Sequence, residues 1–264
     1  MTRKFDLILP IGEACCCSQS LRTAGLQFAS FPWDWLAVRD LGKVVEINCA
    51  GGADFMRIED MERLEPREGH PMDFYSNNRL GIHHNHDFPR GVPLEESFPA
   101  VAEKYRRRFN RQTRLIEDSK LPVLLLRIDS PIMGATTLDE CRCARRRLSE
   151  RFPGKTFEFC LFSLDTERPF ASRIEEEVEP GFLHVAFDYR DRRPGAASYN
   201  VDQRAIAEVL RSRFAVRDYR TAEEKRRYAD ARKAEKYAKA GVDSVLGYRL
   251  YRLKKQIRGL FGRR

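Results

Sequence analysis

Leu121-Pro122-Val123-Leu124-Leu125-Leu126-Arg127-Ile128 decides the fold class. The run from Val123 through Leu126 offers no polar face to solvent, so residues 121–128 read as a strand buried on both sides. The neighbouring segments repeat the same punctuation. Downstream, a helix over about 138–151 stops at Pro153-Gly154, residues 156–162 form a second strand, and 182–187 a third. Asn200, with Gln203 three residues on, reads as a capping-box start for a helix ending near Phe214. Upstream, Phe98, Val101, Ala102, Tyr105, Phe109 and Leu115 keep helical spacing around Arg106-Arg107-Arg108. Residues 5–11 form a short strand ending at Gly12, and 16–23 a helix stopped by Gly25. Strands alternating with helices predict an α/β fold: a mostly parallel sheet with helices on both faces, in a three-layer sandwich.

Two stretches stand apart from this alternation. Phe31-Pro32-Trp33-Asp34-Trp35 reads as an aromatic turn leading into a second helix. Residues 50–95 carry Gly51-Gly52, Pro71, Asn77-Asn78, Pro89 and Pro93, which predicts loops with short strands at best. One candidate strand there, 80–84, closes on Asn85-His86-Asp87-Phe88 and leaves His86 in a loop.

Charge separates the chain into parts. The 264 residues hold 48 Lys plus Arg against 39 Asp plus Glu, a formal +9. Residues 220–264 alone hold 15 basic and 5 acidic side chains, leaving 33 against 34 in the rest. A near-neutral body argues against nucleic acid as a partner. The divisions follow as a catalytic α/β domain over 1–219, a charged helical spacer over 220–241 opened by Thr221 and Glu224, and a basic helix over 242–264. In that last segment Leu246, Leu250, Leu253, Ile257 and Leu260 share one face, and seven basic residues follow Asp243 with no acid. Such a helix is expected to dock on an anionic membrane surface, with packing on protein as its alternative. No stretch has the ~18 apolar residues of a membrane span. Asp6 interrupts the amino-terminal apolar run, which excludes a signal peptide, and seven cysteines without a spaced framework read as reduced. The expected location is cytoplasmic, peripheral on the inner face of the membrane.

Gly12-Glu13-Ala14-Cys15 places a cysteine directly after a strand at the start of a helix. A helix N-terminus lowers a thiol pKa, and a histidine elsewhere in the chain, such as His86, could serve as its base. The alternative is that Cys15, Cys16 and Cys17 are small packing residues. Other clusters read as structural. His83, His84 and His86 with Asp87 lack metal-ligand spacing, because on a strand His84 and His86 share one face and His83 takes the other. Cys141 and Cys143 diverge on a helix, His184 belongs to an apolar strand, and the Arg106–108 and Arg145–147 runs are solvated helix faces or phosphate contacts. No metal and no cofactor is expected.

Ile11-Gly12-Glu13-Ala14-Cys15, Leu21, Gly25-Leu26, Phe31-Pro32-Trp33-Asp34-Trp35 and His86-Asp87-Phe88 together resemble a bacterial family of papain-like cysteine peptidases. The resemblance covers about residues 5–130. Gln27, Trp33 and Ile11 depart from the family's Arg, Phe and Leu. It implies Cys15 as nucleophile, His86 as base, and Asp87 or Asp129 as the orienting acid, with Asp34 a third candidate or a cap of its own turn. Gly12, Asp34, Trp35 and Arg127 are the expected substrate-binding residues. A papain-like fold further implies an antiparallel barrel carrying the histidine, which differs from the parallel sheet read above. The leading expectation is a cysteine-dependent hydrolase of a peptide or glycoconjugate near the membrane. The alternatives are a glycosyltransferase-like or accessory enzyme of surface-polysaccharide assembly, and a non-enzymatic membrane-recruited adaptor.

Overall fold

The centre of the molecule is the strand Val123–Ile128, every residue of which is buried. A computed structural model describes residues 2–218 and 221–239. In chain order the elements are β1 (Arg3–Phe5), β2 (Leu7–Pro10), α1 (Cys16–Ala24), β3 (Leu36–Val38), α2 (Leu41–Cys49), β4 (Met61–Arg63), β5 (Met72–Asn77), β6 (Ile82–Pro89), α3 (Leu94–Asp118), β7 (Val123–Ile128) and α4 (Leu138–Arg151). Then come β8 (Phe157–Leu164), β9 (Ile174–Glu179), β10 (Phe182–Phe187), α5 (Gln203–Arg213), β11 (Phe214–Val216) and α6 (Ala222–Lys239). The chain divides after Arg217 into two units.

In the first unit, a five-stranded sheet has the order β2-β7-β8-β10-β9. Its first four strands run parallel, and β9 pairs antiparallel at the edge. The mixed α/β class and the mostly parallel sheet match the sequence reading. Side chains alternate between two cores. Leu7, Leu9, Val123, Leu125, Phe159 and Leu161 meet residues of α2, α3 and α4, such as Val44, Phe109 and Leu148. Ile8, Leu124, Leu126, Phe162 and Val185 meet Leu21 of α1 and Ile206 and Leu210 of α5. Strand β9, Ile-Glu-Glu-Glu-Val-Glu, is absent from the sequence reading because its carboxylates mimic a solvated segment.

The larger departure is in residues 50–95. There β4, β5 and β6 join β3 in a four-stranded antiparallel sheet, β3-β6-β5-β4, in place of loops with short strands at best; the candidate strand at 80–84 corresponds to the start of β6. The strands of this sheet bury Asp73, Ser76, Asn77, His84 and Asp87, so the apolar alternation that would announce a strand is missing. Residues 85–89 extend β6, and His86 therefore lies in a strand. The aromatic turn Pro32–Trp35 is a short 3-10 helix that leads first into β3 and then into α2. Helix α5 is capped by Asp202, whose carboxylate accepts from the N–H groups of Arg204 and Ala205, and not by Asn200.

The second unit contains α6, with Arg226, Arg227 and Asp230 among its exposed residues. Among the described residues no helix is long and apolar enough to cross a membrane. The proposed membrane helix, 242–264, lies outside the described residues.

Candidate active site

The segment after β2 is strung between the two sheets. Ile11 N–H donates to Leu126 O at 2.9 Å, and Val38 N–H donates to Glu13 O at 2.7 Å. Gly12 is required by this path: φ is +107°, and a Cβ there would sit 2.9 Å from Arg127 Nη1. The chain then enters α1 through Cys15, at the N-cap position. The three cysteines part company here. Cys16 and Cys17 are buried, and Cys17 Sγ donates to Gly12 O at 2.8 Å. Cys15 is half-buried, and its sulfur is approached by its own backbone N–H, with no side-chain cap bond made at this position. Burial pushes the Cys15 thiol up to about 11, which corrects the expectation of a lowered value. Desolvation outweighs the helix dipole at this position.

Arg127 and two carboxylates form a buried network at the carboxyl end of the parallel sheet. Arg127 donates to Thr136 Oγ1 at 2.7 Å, Ile11 O at 3.1 Å, Glu13 Oε1 at 3.1 Å and Arg39 O at 2.6 Å. It is 1 % exposed, and these four bonds commit its guanidinium to its own chain, where the sequence reading expected a substrate contact. Asp129 accepts from Thr136 N–H at 3.0 Å and Thr136 Oγ1 at 2.6 Å, and burial raises its pKa. Glu13 accepts from Ser130 N–H at 2.6 Å. Burial nevertheless carries it to about 7, against the opposing pull of that N–H and of Arg127. Gly12, a further expected substrate contact, has its carbonyl engaged by Cys17.

The antiparallel sheet holds a second network. His84 Nδ1 lies 2.7 Å from Asp87 Oδ2, which also accepts from Tyr105 OH at 2.7 Å, while Lys104 Nζ bonds Oδ1. Burial opposes ionisation of Asp87, but the His84 bond and the Lys104 charge prevail and hold the carboxyl well below its usual range. Asp87 therefore orients His84 and not His86. Strand irregularity explains the exchange: Tyr75 pairs with His84 and Asp73 with Phe88, so β6 bulges between them. His84 is left fully buried and His86 exposed, although strict alternation puts them on one face.

His86 stands against Trp35, ring centroids 5.5 Å apart, with His70 at 6.2 Å on another side. Although His86 is exposed, desolvation of the ring where it packs on Trp35 lowers its pKa, Asp87 opposes, and His70, Arg67 and Lys104 add to the lowering, which favours the neutral ring at pH 7. The structure thus joins Trp35 and His86, two expected site residues. It shows no hydrogen bond between Cys15 and His86, and Asp129 belongs to the Arg127 network. Asp34 is buried and accepts from Ser18 Oγ at 2.9 Å, Gln27 Nε2 at 2.8 Å and Phe31 N–H at 3.1 Å. These bonds make it the cap of its turn, not a substrate contact. Glu13 and Thr136 were missed by sequence reasoning. A Glu between Gly12 and Ala14, two residues before the cysteine, was the one available signal. Among the described residues no group of three or more His, Cys, Asp or Glu could hold a metal ion.

A cysteine opening a helix beside a histidine-bearing antiparallel sheet is a layout on which thiol hydrolases can be built. The chain belongs to the family described as "putative papain-like cysteine peptidase", whose family model matches residues 6–165. No curated protein and no solved structure matches it.

Proposed function

We propose that the chain is a cysteine-dependent hydrolase with Cys15 as nucleophile and His86 as base. The observation that carries this reading is the separation of Cys15 from its two buried neighbours, at the mouth of α1 and with no side-chain cap bond made by its sulfur. A thiol at about 11 is protonated at neutral pH, so attack needs a base, and a neutral His86 is in the form to accept the proton. The two groups are not hydrogen-bonded in the free protein; catalytic bonds often tighten when substrate is bound. In this reading the thiol proton passes to His86, Sγ attacks the carbonyl carbon, and free N–H groups of the first turn of α1 hold the oxyanion. His86 returns the proton to the leaving group, and water then cleaves the thioester.

The test is alkylation by iodoacetamide at pH 7 with each cysteine followed by mass spectrometry, alongside hydrolysis of a peptide library. Cys15→Ala and His86→Ala should each abolish turnover, and Cys15 should be alkylated more slowly in His86→Ala than in the wild type, because a thiol held at about 11 depends on its base. Turnover that survives Cys15→Ala would sink the assignment. The three-layer arrangement, the domain limits at 219 and 241, and docking of 242–264 on anionic lipid near the inner face of a membrane complete the reading. Co-sedimentation with phosphatidylglycerol vesicles, lost on deleting 242–264, checks the last.

A second reading rests on a cavity of about 900 Å³ beyond β10, lined by Arg190, Arg192, Arg193 and Arg204 with Asp188, Asp191 and Asp202. Arg190 and Arg192 pair with Asp188 and Arg193 with Asp191, which leaves Arg204 to meet the phosphate of a nucleotide-sugar, as in a glycosyltransferase-like or accessory enzyme. A thermal shift with sugar nucleotides that survives Cys15→Ala would favour it. Vesicle binding with neither turnover nor nucleotide binding would leave an adaptor.

A further inference from the structure

Arg22 is held in place without being neutralised. Its Nε donates to Gln27 Oε1 at 2.6 Å, and Gln27 Nε2 in turn donates to the buried Asp34 carboxylate at 2.8 Å. The guanidinium lies over the Trp35 ring, 4.5 Å from its centroid. Among the described residues no carboxylate is within ion-pair distance of it, although many other surface arginines, such as Arg57, Arg142 and Arg190, have acidic partners. A hydrogen bond through Nε and a stack on indole fix the fork and leave its outer N–H groups for a ligand. That is the preorganised form in which arginine binds a carboxylate two-pronged.

Its position matters as much as its freedom. Arg22 lies seven residues beyond Cys15 on the path of α1, about two helical turns or ~10 Å along the axis. Trp35, which it covers, is the same ring that His86 abuts. Arg22, Trp35 and His86 thus form one continuous strip. An extended peptide advances ~3.4 Å per residue, so about three residues separate a carbonyl at Cys15 from a side chain at Arg22.

We propose that Arg22, steadied by Gln27 and Trp35, is the anchor for an acidic side chain of a peptide substrate, about three residues from the bond attacked by Cys15. The inference rests on the cysteine-hydrolase reading and adds its substrate class: peptides bearing a carboxylate at that distance.

Two probes differing in one group test it. Bromoacetyl-Gly-Gly-Glu-amide and bromoacetyl-Gly-Gly-Gln-amide alkylate a thiol with loss of bromide, the thiol proton passing to solvent or base. Cys15 modification is followed by mass spectrometry, with each rate divided by that of iodoacetamide on the same variant. In the wild type the Glu probe should be faster by about tenfold, the scale of one charge-assisted two-pronged contact. The preference should vanish in Arg22→Gln and return in part in Arg22→Lys. Equal rates for the two probes on the wild type overturn the proposal. A second measurement is independent of the thiol. In Cys15→Ser protein, acetyl-Gly-Gly-Glu-amide should change the emission of half-buried Trp35, and the Gln peptide should not. An inert Cys15 with this Arg22-dependent response would defeat the nucleophile and keep the anchor. A reactive Cys15 without the response or probe preference would do the opposite.

Discussion

Two buried polar networks flank the cysteine and histidine, one in each sheet, and they are balanced in opposite ways. At the carboxyl end of the parallel sheet two carboxylates, Glu13 and Asp129, share one cation, Arg127. In the antiparallel sheet one carboxylate, Asp87, collects bonds from His84, Tyr105 and Lys104. The side chains of Glu13 and Asp87 are both buried, so desolvation alone does not separate the two. The number of donors for each carboxylate does. With too few, Glu13 rises to about 7; with several, Asp87 stays ionised far below its ordinary value.

Removing the shared cation is the harshest way to break the contrast. Arg127→Met leaves two buried carboxylates facing each other and strips the Ile11 and Arg39 carbonyls of a donor. It should cost about 3–5 kcal/mol by denaturant titration, as for a broken buried ion pair. A loss under ~1 kcal/mol would mean that water reaches the network.

The pH dependence of stability sharpens the comparison, because the two networks act with opposite sign. Glu13 has a raised folded value, so its contribution is complete below the ordinary carboxyl value of 4.5 and is lost as pH climbs to about 7. The change is about 3 kcal/mol at ~1.4 kcal/mol per pH unit. Asp87 is lowered, so its contribution is present above 3.8 and is lost as pH falls below that value. Urea midpoints of Glu13→Gln should lose the slope between pH 4.5 and 7 and keep the acid slope. Asp87→Asn should do the reverse. A shared response to both substitutions would show one coupled network.

The same contrast governs what the sequence discloses. The parallel sheet is legible because Val123, Leu124, Leu125 and Leu126 have only an interior to go to. The antiparallel sheet hides because its strands bury His84, Asp87 and Asn77, whose side chains advertise solvent or loops. Within the site, Cys15 at a helix start is legible from the strand-Gly-x-x-Cys spacing, whereas the contact of Trp35 with His86 is a tertiary feature that no local spacing announces. Nor is the partner of Asp87 legible, since a bulge between Asp73 and Tyr75 undoes the alternation that a histidine count assumes. Arg127 was read as a substrate contact because it ends a strand where ligands bind; its burial depends on carbonyls contributed by Ile11 and Arg39, distant in sequence. The basic tail is plain in composition, where charge is a matter of counting.

Smaller effects come from taking one hydroxyl out of each network. Thr136 Oγ1 receives from Arg127 and donates to Asp129, so Thr136→Val breaks two bonds and should cost about 2 kcal/mol. Tyr105→Phe removes a single donor from Asp87, about 1 kcal/mol, with His84 and Lys104 still in place. If donor number sets the behaviour of each carboxylate, Tyr105→Phe must leave the acid slope of Asp87 nearly intact, since two donors remain. Thr136→Val must instead raise Asp129 further and extend the loss of stability toward neutral pH, because one of its two donors from Thr136 is gone and Arg127 is still shared with Glu13. Equal responses in the two variants would locate the difference between the networks in burial and not in their donors.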